Sequence, residues 1–279
     1  MVNIDSIPIF STHRFISKRY NFLTSKGYLQ KCLEWNNSNK LNLKYIFATD
    51  KKTLNCINKE KLININIIET RNYENTEYKL FIENYRHLST HDYLFELFCL
   101  TRYFNALSYC KKNNIERIII TDSDNLFFPE IRNLLLEDKL CIPFMHTKKR
   151  NLFNHKYKCS GGISIWDILN LDSYCSFLLE SYTNKNNLKK ITDHYKNLQE
   201  LNIKGGISDM YHLSSWLTIK NPKNLFNLRD TAKYYKYEYD PSIEDLRYQE
   251  YNTIKYFSFY KMGIKTIKKL YIIKNLNDF

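Results

Sequence analysis

The feature that most constrains the fold is an apolar run that ends in two carboxylates. Residues 118–121 read Ile-Ile-Ile-Thr, and Asp122, Ser123 and Asp124 follow directly. A run of β-branched residues without polar alternation is typical of a strand buried on both faces. Aspartate is depleted inside strands, so the carboxylates mark the carboxyl end of this strand. Ligands of open α/β sheets bind at that end.

The rest of the chain alternates between strand-like and helix-like patterns. Short apolar runs predict strands in seven segments: 7–10, 44–49, 62–69, 115–121, 140–145, 158–166 and 225–228. Helices are predicted from the helical spacing of apolar residues, from turn residues and from proline positions. The predicted helical segments are 20–35, 50–58, 78–84, 91–113, from Pro129 onward, 167–183, part of 184–201, and 209–217. This alternation indicates an α/β fold, in which helices cover a mostly parallel sheet.

The formal net charge of +13 allows negatively charged partners. Nucleic acids, anionic membrane surfaces and phosphorylated small molecules all fit a basic protein. The basic residues are scattered, however, and the densest clusters, at 148–150 and 268–269, are short. A solvated basic surface is therefore favoured over a nucleic-acid patch, and nucleic acid is not expected as a partner.

The cysteines and the N-terminus favour a cytoplasmic protein. The seven cysteines show no Cys-x-x-Cys spacing, and most lie in apolar segments, which is typical of reduced thiols. The first residues lack the charged start and apolar block of a signal peptide. No stretch reaches the roughly 18 apolar residues that a transmembrane helix needs. We expect at most peripheral contact with a membrane.

Asp122 and Asp124 are the first candidates for chemistry. Two carboxylates at a strand end can hold a hard cation, Mg²⁺ or Mn²⁺, that bridges a pyrophosphate. Such a metal would neutralise a departing diphosphate. The competing interpretation is a turn in which the aspartates cap a following helix.

Further polar groups are expected near the same strand end. Arg102 lies among apolar neighbours on the helix 91–113, so it should pair with another group or reach a ligand, unless it lies at the helix edge. Ser160, Gly161 and Gly162 would let backbone N–H groups approach a ligand, although a β-bulge also fits. Asp209 follows a second glycine pair and suits a general base, an acceptor-binding carboxylate or a helix cap.

The end of the first strand offers a third group of candidates. Ser11, Thr12 and Arg14 lie where a nucleotide could bind, although a plain turn fits them as well. The P-loop pattern, the dinucleotide-binding Gly-x-Gly-x-x-Gly pattern and the Gly-x-Ser-x-Gly elbow are all missing. No His/Cys cluster has zinc spacing. The chain therefore lacks the signatures of the enzyme classes that depend on those motifs.

Three motifs, in their order and spacing, resemble nucleotide-sugar glycosyltransferases of the GT-A fold. The first is the segment 95–104 followed by the Asp-x-Asp strand at 118–124. The others are the strand 159–166 and the loop and helix start at 205–210. The resemblance covers about residues 5–230. It implies a Rossmann-like mixed sheet, mostly parallel and flanked by helices, with a helical C-terminal extension.

The resemblance also implies how the chain is divided. A single domain would span 1–279, with a nucleotide-binding half at 1–125, an acceptor-side half at 126–230 and a tail at 231–279. The activity would be that of a metal-dependent, hexosyltransferase-like glycosyltransferase. It would move a sugar from a nucleoside-diphosphate sugar, with a UDP-sugar favoured, to a hydroxyl acceptor such as a glycan.

By the same resemblance, Asp122 and Asp124 would hold ribose and metal, with Asp124 as the direct metal ligand. Arg102 would contact the donor sugar or its phosphates. Asp209 would face the acceptor and would be the base if the enzyme inverts, which is the preferred expectation. The remaining candidates would line the nucleotide pocket (Ser11, Thr12 and Arg14) and border the sugar (Ser160, Gly161 and Gly162).

The tail departs from the pattern of the family. Many members carry a late His-x-x-Gly-x-x-Lys element that supplies a third metal ligand and a phosphate-binding lysine. Here Tyr260 stands where the histidine would be, and Lys261 or Lys265 would serve the phosphate role. The sequence therefore does not identify the third metal ligand.

Two other functional classes remain open. A phosphatase or nucleotidyltransferase could use the same aspartates. A haloacid-dehalogenase-type phosphatase, however, needs Thr or Val at the fifth position of its motif, where Leu126 stands, and needs the motif on its first strand. A basic nucleic-acid-binding protein would explain the net charge of +13 but not the aspartates.

Overall fold

The structure is a computed structural model that describes residues 7–14, 28–38, 43–123, 125–127, 139–146, 155–228, 258–259 and 264–266. Several predictions fall outside these residues. They concern Asp124, Lys261, the start of the helix predicted at 20–35 and the helix predicted to begin at Pro129. Most of the C-terminal tail also lies outside.

The described residues alternate between strands and helices, as the sequence predicts. The strands are β1 (Ile9–His13), β2 (Tyr45–Thr49), β3 (Ile65–Glu69), β4 (Arg117–Asp122), β5 (Asn125–Phe127), β6 (Leu140–Ile142), β7 (Phe144–His146), β8 (Tyr157–Cys159), β9 (Ile163–Asp167), β10 (Leu225–Asn227), β11 (Ser258–Phe259) and β12 (Ile264–Thr266). The α-helices are α1 (Tyr28–Ser38), α2 (Lys51–Leu54), α3 (Thr76–Asn84), α4 (Tyr93–Asn113), α5 (Ile168–Thr183), α6 (Lys185–Glu200) and α7 (Asp209–Lys220).

Seven of these strands form one mixed sheet in the order β10-β6-β9-β4-β1-β2-β3. Strands β3, β2, β1 and β4 run parallel, and β9 is antiparallel to both of its neighbours, β4 and β6. Strand β10 is parallel to β6. The mostly parallel α/β fold class is therefore confirmed. Strand β4 lies near the centre, with three strands on each side.

The position of β4 explains its unbroken apolar run. Ile118 and Ile120 pack into the core on one sheet face, together with Leu100 and Phe104 of α4. Ile119 packs into the core on the other face, with Leu33 of α1. All three isoleucines are fully buried. Each contributes about 1.5–3 kcal/mol relative to an exposed side chain, so a polar residue in this run would destabilise the fold.

Helix α4 covers the central strands and carries the candidate Arg102. Asp92 caps its start by accepting hydrogen bonds from the backbone N–H groups of Leu94 and Phe95. Its end is set by Asn114 in the left-handed conformation, with φ at 53°. This helix of 21 residues was predicted at 91–113, because its apolar residues recur at helical spacing.

Four local predictions differ from the structure. Residues 140–145 form two strands, β6 and β7, because Pro143 has no N–H to continue the ladder. Asn125–Phe127 is the strand β5, where the sequence pattern indicated only the approach to a helix. Helix α6 fills nearly all of 184–201, which was expected to be helical in part. In the tail, the two described stretches are the strands β11 and β12, which extend β5 into a small sheet, rather than the expected helix.

No helix in the described part of the chain has the length and apolar character that a bilayer crossing requires.

Candidate active site

The first group of predicted site residues lies at the carboxyl ends of β1 and β4. The two strands are parallel neighbours, and their register places Thr12 opposite Asp122. Ser11 and Thr12 are buried, and their side-chain oxygens have no hydrogen-bond partner among the described residues. Buried hydroxyls normally find a partner, so this edge of the sheet has polar groups available for a ligand.

Arg102 contacts Asp122 at the end of β4 and also two candidates from later in the chain, Gly161 and Asp209. Its Nη1 donates to Oδ1 of Asp122 at 2.5 Å, and its Nη2 donates to Oδ2 of Asp209 at 2.9 Å. The same Nη2 donates to the carbonyl oxygen of Gly161 at 2.5 Å. Its side chain is only 2% exposed, so the guanidinium is a buried charge between two carboxylates. Burial opposes that charge, but Tyr103, Asp122 and Asp209 together raise the pKa of Arg102, so it stays protonated.

These contacts show that Arg102 pairs with other groups, which was one of the expected alternatives, while its contact with a ligand stays a prediction. It is not a surface residue at the helix edge but the centre of a site built from α4, β4, the loop before β9 and the start of α7. Arginine suits this position because its rigid planar fork presents separate N–H groups to acceptors several ångströms apart, whereas the ammonium of lysine is a compact point charge.

Gly161 lies directly against both buried charges, Arg102 and Asp209. A Cβ atom at this position would lie 2.5 Å from Oδ2 of Asp209 and 2.6 Å from Nη2 of Arg102. A Cβ on Gly162 would approach Asp122 Oδ2 only to 3.4 Å, which is an ordinary contact. The pair lies outside the described strands, so the β-bulge interpretation does not apply. It links β8 and β9, and at Gly161 the absent side chain makes room for the ion pairs.

The loop around Gly162 is fixed to the end of β4. The carbonyl oxygen of Gly162 accepts from the backbone N–H of Asp122 at 3.0 Å and from Nδ2 of Asn125 at 3.0 Å. Oγ of Ser160 accepts from the N–H of Gly162 at 3.3 Å. Ser160, Gly161 and Gly162 therefore lie beside Asp122, as their candidate role requires.

Asp209 is the first residue of α7 but does not cap it. The cap is Ser208, whose Oγ accepts from the N–H of Tyr211, so the cap-only interpretation of Asp209 is wrong. Burial raises the pKa of Asp209 to about 6, and the charges of Glu96 and Asp122 act in the same direction. Arg102 opposes this shift. A carboxyl with a pKa near 6 can take up and release a proton close to neutral pH, as a general base must.

Arg14 lies apart from this cluster. Its guanidinium donates to the hydroxyl of Tyr78 at 3.3 Å and pairs with Glu74 at 3.4 Å. It lines a cavity of about 160 Å³ beside the carboxyl ends of β1, β2 and β3. The other lining residues are mostly polar or charged: Thr49, Asp50, Lys51, Glu69, Thr70, Arg71 and Glu74. The structure therefore places Arg14 at a cavity on the same edge of the sheet, apart from the cluster around Arg102.

His13 belongs to the site but was not among the predicted site residues. Its Nδ1 lies 3.0 Å from Oγ of Ser123, in the segment that follows Asp122. Burial lowers the pKa of His13 to about 4, against the opposing charges of Asp50 and Asp122, so the ring is neutral at pH 7. The signal was present in the sequence, because His13 directly follows Ser11 and Thr12 at the end of an apolar strand.

Glu96 is the second residue that sequence reasoning missed. It is buried on α4, six residues before Arg102, and its charge contributes to the raised pKa of Asp209. The spacing of Glu96, Cys99 and Arg102 places all three on one face of the helix. A charged residue on the apolar face of a predicted helix was the available signal.

Asp122 provides part of what a divalent cation would need. Its carboxylate is 22% exposed at the strand end, and hard cations prefer such oxygen ligands. No group of three or more His, Cys, Asp or Glu side chains with metal-site geometry occurs within the described residues, from which Asp124 is missing. The oxygen chemistry of Asp122 suits a hard cation, and Asp124, the second predicted ligand, lies outside the described residues.

Comparison with known proteins supports the fold. No protein-family model matches the chain, and no curated protein matches it. The structure is similar to mouse xyloside xylosyltransferase 1 in its apo form, with a TM-score of 0.50 and 13% identity over 81% of this chain and 86% of that chain. A cytidylyltransferase from Leptospira borgpetersenii serovar Hardjo-bovis (strain JB197) has a TM-score of 0.37 and 15% identity, over 70% of this chain and 73% of that chain.

The likeness to the xylosyltransferase, at this low identity, concerns the fold alone. The chain has a GT-A-like fold of the kind found in nucleotide-sugar transferases, as the resemblance in the sequence implied. The likeness to the cytidylyltransferase is too distant to support a conclusion. This likeness does not test the roles of the individual site residues, which stay predictions.

Proposed function

We propose that this protein is a metal-dependent glycosyltransferase, which transfers a sugar from a nucleoside-diphosphate sugar to a hydroxyl acceptor. The observation that carries the proposal is the position of Arg102, buried between Asp122 and Asp209 at the carboxyl edge of a GT-A-like sheet. A donor sugar and its phosphates need both a cation and hydrogen-bond acceptors, and this cluster supplies both kinds of group.

The donor nucleotide is assigned to the edge formed by β1, β2 and β3. Arg14 and the cavity of about 160 Å³ lie at this edge, and Ser11 and Thr12 belong to β1, the strand between β2 and β4. A nucleotide at this edge would have its diphosphate directed toward Asp122. UDP is the favoured nucleotide, in line with the family that the sequence resembles.

Asp122 and Asp124 are the residues proposed to hold Mn²⁺ or Mg²⁺, and Lys261 is the candidate for binding a phosphate. When bound, the metal would neutralise the negative charge of the departing diphosphate. The same segment is held in place by the protein itself, because His13 contacts Ser123 and the loop carbonyl of Gly162 binds the backbone of Asp122.

The donor sugar would lie between the 160–162 loop and Arg102. The guanidinium is already fixed by four acceptors, the hydroxyl of Tyr103 among them, so its charge would act on the sugar or a phosphate with little further loss of conformational entropy. Ser160 and Gly162 border the same space.

Asp209 is the proposed base on the acceptor side. An acceptor hydroxyl would attack C1 of the donor sugar as Asp209 takes up the hydroxyl proton and the C1–oxygen bond to the diphosphate breaks. This single displacement inverts the anomeric configuration. The raised pKa of Asp209, at about 6, supports the assignment, because the group is then basic enough to accept a proton and still largely ionised at pH 7.

The proposal treats residues 1–279 as one domain, with donor binding in 1–125, acceptor binding in 126–230 and a tail at 231–279. Glycans are the favoured acceptors. A phosphatase that carries its motif on the first strand is less suitable, because three strands precede β4 in the chain. A nucleotidyltransferase would instead release pyrophosphate from a nucleoside triphosphate.

A thermal-shift panel of sugar nucleotides and nucleoside diphosphates, with and without Mn²⁺, tests the proposal. We expect metal-dependent stabilisation by one nucleotide, which disappears in Asp124→Asn and weakens in Asp122→Asn. Asp172→Asn is the matched control, because Asp172 is half-exposed and pairs with Lys111 on the surface. Nucleoside triphosphates are added to the panel as a comparison. If no nucleotide stabilises the protein, or if a triphosphate does so while every sugar nucleotide fails, the proposal is wrong.

A further inference from the structure

A buried carboxylate that the proposed mechanism does not use lies near the start of α4. Glu96 is only 1% exposed. Its Oε1 accepts a hydrogen bond from Oγ of Ser89 at 3.1 Å and contacts Nδ1 of His91 at 2.5 Å. Oγ of Ser89 also accepts from the backbone N–H of His91 at 3.2 Å. Both of these partners come from the segment before α4, so Glu96 fixes that segment to the helix.

The segment that Glu96 fixes is hydrogen-bonded in turn to the loop before α7. The backbone N–H of Ile207 donates to the carbonyl of Leu88 at 2.7 Å, and that of Thr90 donates to the carbonyl of Gly205 at 2.9 Å. The N–H of Gly205 donates to Oγ1 of Thr90 at 3.0 Å. We call these two segments, residues 88–90 and 205–207, the clamp.

The two segments of the clamp touch through their backbones at Gly206. Ser89 forms an antiparallel bridge with Gly206. A Cβ on Gly206 would lie 2.4 Å from the carbonyl oxygen of Leu88 and 2.7 Å from Cα of Ser89. The φ of Gly206, at 146°, is one that favours glycine. Only Ser208, the cap of α7, separates the clamp from Asp209, so the position of Ser89 helps to set that of Asp209.

Helix α4 therefore holds Asp209 through two connections. Arg102 donates to Oδ2 of Asp209 directly, at 2.9 Å. Glu96, closer to the start of the same helix, is connected through Ser89 and the clamp. A general base must lie within hydrogen-bond reach of the hydroxyl whose proton it takes, and small displacements cost much of the rate. The second connection restrains the loop from which Asp209 extends.

The charges around Asp209 include that of Glu96. The ionisable side chains that interact with Asp209 are Arg102, Glu96, Cys99 and Tyr103 of α4, Asp122 of β4 and Tyr174 of α5. Burial raises the pKa values of the thiol and of both phenols, so these three groups are neutral at pH 7. The charged neighbours are thus the cation Arg102 and the carboxylates Glu96 and Asp122.

We propose that Glu96 is a positioning residue for the candidate base: through Ser89 and the clamp, it holds the carboxyl of Asp209 where an acceptor hydroxyl would give up its proton. The inference rests on the proposed function and adds a second group of α4, beside Arg102, on which the position of Asp209 depends. Glu96 acts through other residues of the protein and not by contact with either substrate.

Two variants interrupt the connection at different points. Ser89→Ala removes the hydroxyl that links Glu96 to the clamp and leaves the backbone bridge in place. Glu96→Gln keeps an oxygen that can accept from Ser89 and removes the negative charge. Ser181→Ala is the matched control, because Ser181 is buried like Ser89 and its Oγ donates one hydrogen bond, at 2.8 Å to the carbonyl of Phe177 within α5.

Carbon-13 NMR of the aspartate carboxyl groups in the full-length protein tests the connection without substrates. The signal of Asp209 is the one that is missing in Asp209→Asn, and in the wild type it should titrate near pH 6. In Ser89→Ala we expect its pKa to fall toward the ordinary value of 3.8, because a loosened loop admits water to the carboxyl. In Glu96→Gln the pKa should fall because a nearby negative charge is lost. Ser181→Ala should titrate as the wild type does.

Kinetics of the same variants test the effect on the reaction. Release of UDP is followed with Mn²⁺, with p-nitrophenyl β-xyloside as acceptor and with UDP-glucose, UDP-galactose and UDP-xylose as donors. We expect kcat to fall about 10- to 100-fold in Ser89→Ala and Glu96→Gln, the loss that follows when a reacting group is misplaced. The KM for the donor should stay unchanged, because the clamp adjoins Asp209 and not the proposed nucleotide edge.

Ser89→Ala decides the inference, whether or not Glu96→Gln folds. If this variant keeps the wild-type pKa of Asp209 or the wild-type kcat, the inference is wrong. A merely structural role would lower the melting temperature of Ser89→Ala and Ser181→Ala alike and leave both readouts unchanged. Failure of the proposed function is recognised separately: a wild type that transfers no sugar, although the pKa of Asp209 falls in Ser89→Ala, contradicts the function and still supports the connection.

Discussion

Replacing Gly161 with alanine tests whether the buried ion pairs of Arg102 organise the site. The new methyl group would lie 2.5 Å from Oδ2 of Asp209 and 2.6 Å from Nη2 of Arg102, and contacts below 3.0 Å require one of the atoms to move. Neither charge has space to retreat, because Arg102 is only 2% exposed and Asp209 is buried. The effect is steric, since Gly161 does not have a left-handed φ.

The expected loss of stability follows from these contacts. Overpacking a well-packed interior costs about 1–3 kcal/mol. Weakening one hydrogen bond between buried charged groups costs about 1.5–3 kcal/mol. The two effects overlap, so we expect Gly161→Ala to lower the free energy of unfolding by about 2–4 kcal/mol. For a chain of this size, that corresponds to a fall in Tm of roughly 5–12 °C.

Gly162→Ala is the matched control, because its methyl group would lie 3.4 Å from the nearest atom, Oδ2 of Asp122. We expect this variant to lose less than about 1 kcal/mol. Urea denaturation followed by circular dichroism measures the free energy of unfolding, and release of nucleoside diphosphate from the donor measures activity. We expect activity to fall more than tenfold in Gly161→Ala. Equal stability and activity of the two variants would refute the steric argument.

Three further predictions concern other parts of the structure. Arg102→Met should lower the free energy of unfolding by about 3–5 kcal/mol in urea denaturation, because two carboxylates lose their buried partner; a loss below 1 kcal/mol would contradict this. The acid limb of the pH–rate profile should have its midpoint near pH 6, because the base Asp209 becomes protonated there; a midpoint near pH 4 would exclude Asp209 as the base. Asn36→Ala should lower the free energy of unfolding by about 2–4 kcal/mol, because the N–H of Phe127 and the carbonyl of Asn125 both lose the Asn36 amide as partner; a change within the error of urea denaturation would contradict this.

The raised pKa of Asp209 also has a defined effect on stability. The folded state holds this proton up to about pH 6, whereas the unfolded chain releases it near 3.8. Between these values the native state binds more protons, so the contribution of Asp209 to stability decreases as pH rises through this window. The lowered pKa of His13 makes folding stability change with pH in the opposite direction. Its folded pKa of about 4 lies below the ordinary value of 6.5. Its contribution is present above pH 6.5 and is lost as pH falls through about 4.

The central strand and its main helix could be predicted from the sequence because their patterns reflect burial. The isoleucines of β4 face two cores, and the apolar face of α4 packs against them. The same patterns placed Asp122 at a strand end and Arg102 on the adjacent helix. A charge among apolar neighbours is expected to pair with another group or to reach a ligand. The pairing of Arg102 with Asp122 is one of these two expected outcomes.

Other features depend on contacts between distant segments and could not be read from local patterns. The need for glycine at Gly161 arises from Asp209, which lies 48 residues later in the chain. Glu96 is linked to the loop before α7 through Ser89, which donates to its carboxylate and forms a bridge with Gly206.

The most direct test of the central claim is the release of nucleoside diphosphate from a UDP-sugar by the purified protein, with Mn²⁺ and with EDTA. The account predicts release with Mn²⁺, loss of release with EDTA, and a loss of at least tenfold in both Asp122→Asn and Arg102→Lys, while Asp172→Asn resembles the wild type. Release that is unaffected by EDTA and by both site variants, or no release from any nucleoside-diphosphate sugar, would contradict it.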